Sequence, residues 1–100
     1  MAIEFRVKEI VHEDLDEACT WYERKRQGLS AYFMTRINEC LSRITADPNA
    51  FPRVTGNYRR ALVKRFPYAV FYQYDGREIL ICAVFHTSRD SRAWQRRLSS

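Results

Sequence analysis

Residues 79–85, Ile-Leu-Ile-Cys-Ala-Val-Phe, are apolar at every position, and this run restricts the fold more than any other stretch of the chain. A strand with one face in water alternates apolar and polar side chains. A short run without alternation marks a strand covered on both faces and therefore near the centre of a sheet. The chain must supply neighbours for this strand and cover for each of its faces.

The neighbours lie upstream. Tyr58–Phe66, Tyr68–Tyr74 and Glu78–His86 are three closely spaced β-type runs, which is the pattern of antiparallel neighbours. Asp75-Gly76 between the last two suits a type I′ turn, whose two central residues both need positive φ. At the N-terminus Ile3, Phe5 and Val7 alternate with Glu4, Arg6 and Lys8, which predicts a half-buried first strand over residues 2–9. One cover is helical. From about His12 to Arg26, Leu15, Ala18, Cys19 and Tyr22 recur at helical spacing. The acids Glu13, Asp14, Asp16 and Glu17 precede the bases Arg24, Lys25 and Arg26, as the helix dipole favours. Gly28 supplies a stop, and Leu29, Phe33, Ile37, Cys40, Leu41 and Ile44 then form a second apolar stripe ending near Ala46 and Pro48. The two segments predict an αα-hairpin. Residues 47–57, rich in Pro, Gly and Asn, read as a loop, and residues 89–97 around Trp94 as a short final helix. The expected order is β-α-α-β-β-β-α. This is an α+β fold with an N-terminal helical hairpin packed on one face of a mainly antiparallel four-stranded sheet.

A 100-residue chain with 46% hydrophobic and only 29% charged residues is globular rather than disordered, and its length suits one core. A single domain over residues 1–100 is expected. The N-terminal segment has no continuous apolar stretch of the signal-peptide kind, and no window is long enough to span a bilayer. A cytoplasmic protein without membrane partners is expected. Cys19, Cys40 and Cys82 are widely spaced in apolar surroundings, which suits free thiols better than zinc ligands. The sequence has no glycine-rich phosphate loop, no GxSxG elbow and no acidic cluster in its basic half, so neither a metal nor a cofactor is expected.

Charge divides the chain. Residues 1–50 carry seven basic and nine acidic side chains, residues 51–100 ten basic and three acidic, which suggests an anionic partner for the second half. On the strand after the loop, Arg60, Leu62 and Lys64 share the face opposite Ala61 and Val63. With Ala69 and Phe71 they form an apolar strip edged by cations on the side away from the helical hairpin. A strip of this kind needs cover, either from a partner segment or from the segment around Trp94 folding back. Arg60, Lys64 and Arg89 would bind phosphate if they converge. His86, at the end of the central run, serves either as an acid–base group or as a hydrogen-bond donor that fixes the following turn.

Short words of sequence, in order along nearly the whole chain, resemble the RelE/ParE toxin superfamily and most closely its ParE-like branch, known from plasmid stabilisation systems. They are Asp14-Leu15 and Trp21-Tyr22-Glu23, Gly28-Leu29 and Phe33, Arg65-Phe66-Pro67-Tyr68 with Phe71-Tyr72, Ala83-Val84-Phe85-His86, and Arg89-Asp90 with Trp94. The resemblance implies a toxin encoded beside an antitoxin whose C-terminal region wraps and neutralises it. It also implies a target, either DNA gyrase for ParE-like members or mRNA on the ribosome for RelE-like members. In the cleaving branch, basic residues alternate on the second strand, an arginine lies early on the third, and a basic residue and a tyrosine lie near the tail. Here Arg60 and Arg89 match, while Leu62 and Ala69 occupy two of the other positions and no tyrosine follows Trp94. The reading preferred on this basis is a non-catalytic toxin whose antitoxin- or target-binding residues are Arg60, Leu62, Lys64, Phe71, Arg89 and Trp94. The alternatives are a metal-independent endoribonuclease using Arg60, Lys64, Arg65, His86 and Arg89, and a folded remnant that only binds antitoxin.

Overall fold

A computed structural model describes residues 3–88 and 91–99. The elements are β1 (Glu4–Val7), α1 (Glu9–Lys25), α2 (Leu29–Ala46), β2 (Arg53–Thr55), β3 (Tyr58–Leu62), β4 (Tyr68–Tyr74), β5 (Glu78–His86) and α3 (Ser91–Ser99). They build one sheet in the order β1-β5-β4-β3-β2, in which β1 runs parallel to β5 and the other pairs are antiparallel. Among the described residues no helix is long and apolar enough to cross a membrane.

The sheet has five strands where four are expected, so the order is β-α-α-β-β-β-β-α. The added strand is β2, three residues inside the segment that reads as a loop. Gly56 (φ 50°) and Asn57 turn the chain so that Thr55 pairs with Tyr58, and Val54 packs against the sheet's second apolar cluster. Helix α1 begins a turn earlier than its sequence pattern suggests, because Val11 extends the buried row of Ala18 and Tyr22. The turn after β4 also differs. Positive φ is confined to Gly76 (φ 91°), and the Asp75 carboxylate accepts the N–H groups of Arg77 and Glu78 at 2.9 and 2.8 Å. Asp75 N–H donates to the Glu78 carbonyl, so the central residues are Gly76 and Arg77, with glycine needed only at the first, unlike type I′.

The unbroken apolar run becomes β5, flanked by β1 and β4. A β-bulge contributes to its lack of alternation. Phe71 pairs with Ala83 and Tyr72 with Ile81, leaving Cys82 as an extra residue. Ile79, Ile81 and Val84 therefore face the helical hairpin, while Cys82, Ala83 and Phe85 face the other way.

On the hairpin side, Phe33, Ile37, Cys40 and Ile44 of α2 join Val11, Ala18 and Tyr22 of α1 over the sheet. An aromatic knot closes one end. The Phe66 ring lies 5.0 Å from Tyr22 and 5.2 Å from Phe33, and Tyr68 lies 5.0 Å from Phe33. Glu23 fastens the hairpin locally. Its carboxylate accepts the Gly28 N–H at 2.9 Å, the Ser30 N–H at 3.1 Å and the Ser30 hydroxyl at 2.7 Å, so a side chain of α1 caps the start of α2. These bonds, the Gly28 one foremost, lower the Glu23 pKa. Gly28 itself has φ 88°, a left-handed conformation that favours glycine.

Tyr72 ties the 47–52 connection to the core. Its ring is fully buried and its hydroxyl donates to the Pro48 carbonyl at 2.7 Å. Burial pushes its pKa from the ordinary 10.0 up to about 12. A folded-state pKa above the unfolded one means that the tyrosine's contribution to stability is complete below the unfolded value and is lost as pH rises through the folded one. The melting temperature of wild type should therefore fall more steeply between about pH 10 and 12 than that of Tyr72→Phe, measured by circular dichroism. Parallel curves would mean that Tyr72 does not govern alkaline unfolding.

Candidate functional site

The side of the sheet away from the hairpin is covered by α3. Leu98 is buried against Cys82, Ala83 and Phe85, and the Trp94 ring stacks on Phe71 with centroids 5.0 Å apart and planes 20° from parallel. Such a ring pair is worth about 0.5–1.5 kcal/mol beyond its buried area. Tyr58 adds a polar tie, its hydroxyl donating to the Leu98 carbonyl at 2.9 Å. Of the two covers open at the sequence level, folding back is the one present over β4 and β5. It reaches Tyr58 at the start of β3 and stops short of the strand's other end, where Leu62 remains 56% exposed.

The strongest tie on α3 passes around the sheet edge. The described pairing of β1 with β5 ends at Val7 opposite Ile81, so β5 lacks its β1 neighbour beyond that point. Asp14 of α1 reaches this bare edge and accepts the Val84 N–H at 3.1 Å. Arg97 of α3 meets the same carboxylate from the other side, with two bonds of 2.8 Å each. Its guanidinium lies 4.7 Å from the Phe85 ring centroid. The bond to Asp14 raises the Arg97 pKa, so this cation stays charged.

Between α3 and β3 a pocket of about 110 Å³ is lined by Arg60, Ala69, Phe71, Phe85, His86, Thr87 and Trp94. It gathers Arg60, Phe71 and Trp94 from the residues expected to bind a partner, and Arg60 and His86 from those expected to cleave RNA. Arg60 is half-buried on β3, opposite Phe71 on β4. Leu62 lies two residues along the same strand and remains open to solvent. Lys64 lies beyond the end of β3 and borders a groove against α2, beside Glu39 and Arg43. Arg65 is exposed in the β3–β4 turn with φ 72°, a left-handed conformation for a non-glycine residue. Arg89 lies outside the described residues.

His86 acts on its own loop. Its Nδ1 accepts the Ser88 N–H at 3.1 Å, and its ring meets Tyr68 edge-on at 5.2 Å. The imidazole thus accepts the contact that fixes the following turn instead of donating it as the sequence suggests, because the Ser88 N–H is the group that points at Nδ1. Among the described residues no group of His, Cys, Asp or Glu side chains is arranged to hold a metal. Cys40 and Cys82 are buried free thiols and Cys19 is partly buried; burial raises the pKa of all three. Sequence reasoning missed Asp14 and Arg97 as a pair. They are 83 positions apart, and only the packing of α1 and α3 around one strand edge joins them.

The family model described as the ParE toxin of type II toxin–antitoxin system, parDE, matches residues 6–91. Among solved structures the fold is similar to a chain of the chromosomal ParDE TA system from P. aeruginosa. The TM-score is 0.77 at 17% identity, covering 86% of this chain and 97% of that one. It is also similar to a chain of the archaeal RelE–RelB complex from Pyrococcus horikoshii OT3. There the TM-score is 0.51 at 16% identity, over 90% of this chain and 100% of that one. No curated protein sequence matches significantly.

The Asp14–Arg97 tie predicts a coupling between charge and cover. Arg97→Ala should destabilise the protein by about 1–3 kcal/mol, because it strips a well-shielded carboxylate of its charged partner. In a Trp21→Phe background, where Trp94 is the sole indole, its emission should move to longer wavelength as α3 loosens. Unchanged stability and emission would assign the retention of α3 to its aromatic contacts alone.

Proposed function

This chain belongs to the ParE toxin family and is a type II toxin, and from that membership we propose that it acts in the cytoplasm by binding a protein target, DNA gyrase, until a cognate antitoxin neutralises it. The observation that supports a binding role over a catalytic one is the dispersal of the cations. Metal-free cleavage of RNA needs several charged groups aimed at one phosphate and an acid–base pair around it. Of the described residues in the expected cleaving set, Arg60 and His86 border the pocket, whereas Lys64 and Arg65 sit in and beside the β3–β4 turn and do not line it. Ala69 contributes only a methyl group to the wall. The pocket's 110 Å³ also falls well below the roughly 300 Å³ at which small-molecule sites begin. It suits a single side chain of a protein partner better than a nucleotide.

The open strip beside α3 gives that partner a place to lie. Leu62 offers an aliphatic contact and Arg60 a guanidinium, so a partner segment carrying an acidic residue next to an apolar one matches the surface. Arg60, Leu62 and Trp94 are the residues assigned to antitoxin or target binding, with Lys64 at the margin and Arg89 carried over from the family resemblance; Phe71, expected on the open strip, is instead buried beneath Trp94 and supports it. RNA cleavage is the second reading, favoured by the presence of Arg60 and His86 on one pocket. A folded antitoxin-binding remnant is the third.

Purified protein should inhibit DNA supercoiling by bacterial gyrase, the antitoxin should relieve that inhibition, and Arg60→Ala should weaken it without unfolding the chain. Translating ribosomes supplied with mRNA should yield no cleavage. Ribosome-dependent cleavage abolished by Arg60→Ala would replace this reading with the endonuclease. Inactivity in both assays with antitoxin binding intact would leave the remnant.

A further inference from the structure

Strand β1 ends the sheet, and among the described residues no strand pairs with its outer side. Glu4 donates its N–H to the Arg77 carbonyl and Lys8 donates its own to that of Ile81, each at 3.0 Å. Backbone groups alternate in direction along a strand, so the N–H and C=O groups of Ile3, Phe5 and Val7 turn away from β5 and face the open edge. The side chains alternate as well. Phe5 lies beside Ile79 and Val7 beside Ile81, on the face that meets the helical hairpin, yet Ile3 is 37% and Phe5 41% exposed. On the other face Glu4 stands beside Glu78, a like charge, while Arg6 is bonded to Glu78 at 3.4 Å with 68% of its side chain open to solvent. A strand edge of this kind is a template for pairing, and β1 carries neither a proline nor a bulge that would blunt it.

We propose that this edge pairs with the β1 edge of a second copy of the chain, antiparallel about a two-fold axis at Phe5, so that two five-stranded sheets become one. The register follows from the charges. With Phe5 opposite its own counterpart, Ile3 meets Val7, and these are the pairs that exchange backbone bonds. Glu4 of each copy then faces Arg6 of the other in the closer, non-hydrogen-bonded positions, about 4.5 Å apart at Cα. A slip of two residues either way would set Glu4 against Glu4 or Arg6 against Arg6, so the alternating signs reject the neighbouring registers. The apolar face gains too, because the part-exposed Ile3 and Phe5 find Val7 and Phe5 across the axis. Such self-complementarity is what a two-fold contact requires. One short strand per copy is far less than the roughly 20–30 residues a side of a stable complex, which makes the association weak and reversible. None of the residues lining the Arg60 pocket lies on β1, and the proposal does not depend on the toxin's target.

The test is sedimentation equilibrium of the full chain over a wide range of concentration. Wild type should pass reversibly from 12.0 kDa towards twice that mass. Glu4→Arg and Arg6→Glu should each weaken the association at least about tenfold, because each sets like charges opposite one another at both ends of the junction. Mixed in equal amounts, the two variants should recover it as a heterodimer, since one then brings only cations to the junction and the other only anions. Wild type that stayed a monomer at millimolar concentration would overturn the proposal. So would folded variants that associate as wild type does, or a mixture of them that recovers nothing. Should a variant fail to fold, amide hydrogen exchange in wild type decides. The N–H groups of Ile3, Phe5 and Val7 should exchange more slowly as protein concentration rises, and rates independent of concentration would reject the pairing.

Discussion

Strand β5 has to be dry on both faces, and the rest of the molecule is arranged around that requirement. Its hairpin-facing residues Ile79, Ile81 and Val84 need the helical pair α1–α2, while Cys82, Ala83 and Phe85 need a second cover from α3. The bulge at Cys82 divides an odd run of side chains between the two faces without leaving one stranded in water. At the end of β5 without its β1 neighbour, an open backbone N–H would carry a desolvation cost. Asp14 satisfies the one at Val84 and, through Arg97, fixes the second cover with the same carboxylate. One acidic side chain thus joins three elements that are remote in sequence.

That division of labour explains what could be read from the sequence. The central strand, the bounds of α2, the helical hairpin and the antiparallel run from β3 to β5 are legible because each rests on local periodicity or a local stop signal. Strand β2 is not, since three residues give no period, and Val54 earns its place only by contact with a cluster assembled from distant strands. The start of α1 was obscured because Ile10 and Val11 continue the apolar character of the first strand. The Asp75 turn shows a different limit, where a side chain that accepts two backbone N–H groups displaced the turn type suggested by its dipeptide.

The candidate site was legible only in part for a related reason. Alternation along β3 separated Arg60 and Leu62 from Ala61 and Val63, and this matches the burial of the latter pair. The same alternation placed Lys64 beside Arg60, but β3 ends at Leu62 and the chain turns, so the lysine borders α2 instead. Sequence could not decide between a partner and a folded-back helix, because both satisfy the same apolar face. Packing resolves this position by position, with Trp94 over Phe71 and bare surface at Leu62. The charged half of the chain behaves accordingly. Among the described residues, two of its arginines are structural anchors with separate roles, Arg59 on the Phe51 carbonyl and Arg97 on Asp14.

The parallel pairing of β1 with β5 joins Glu4–Val7 to residues 78–81. During synthesis, β1 therefore leaves the ribosome long before its only neighbour in the sheet exists. The α1–α2 hairpin is different, because Glu23 caps the helix that begins a few residues later and its contacts are local. The sheet therefore cannot close before β5 has been made, and the Arg60 pocket cannot be complete before Trp94 has been added. On that face a growing polypeptide of this design carries no finished binding surface until α3 has followed every strand of the sheet.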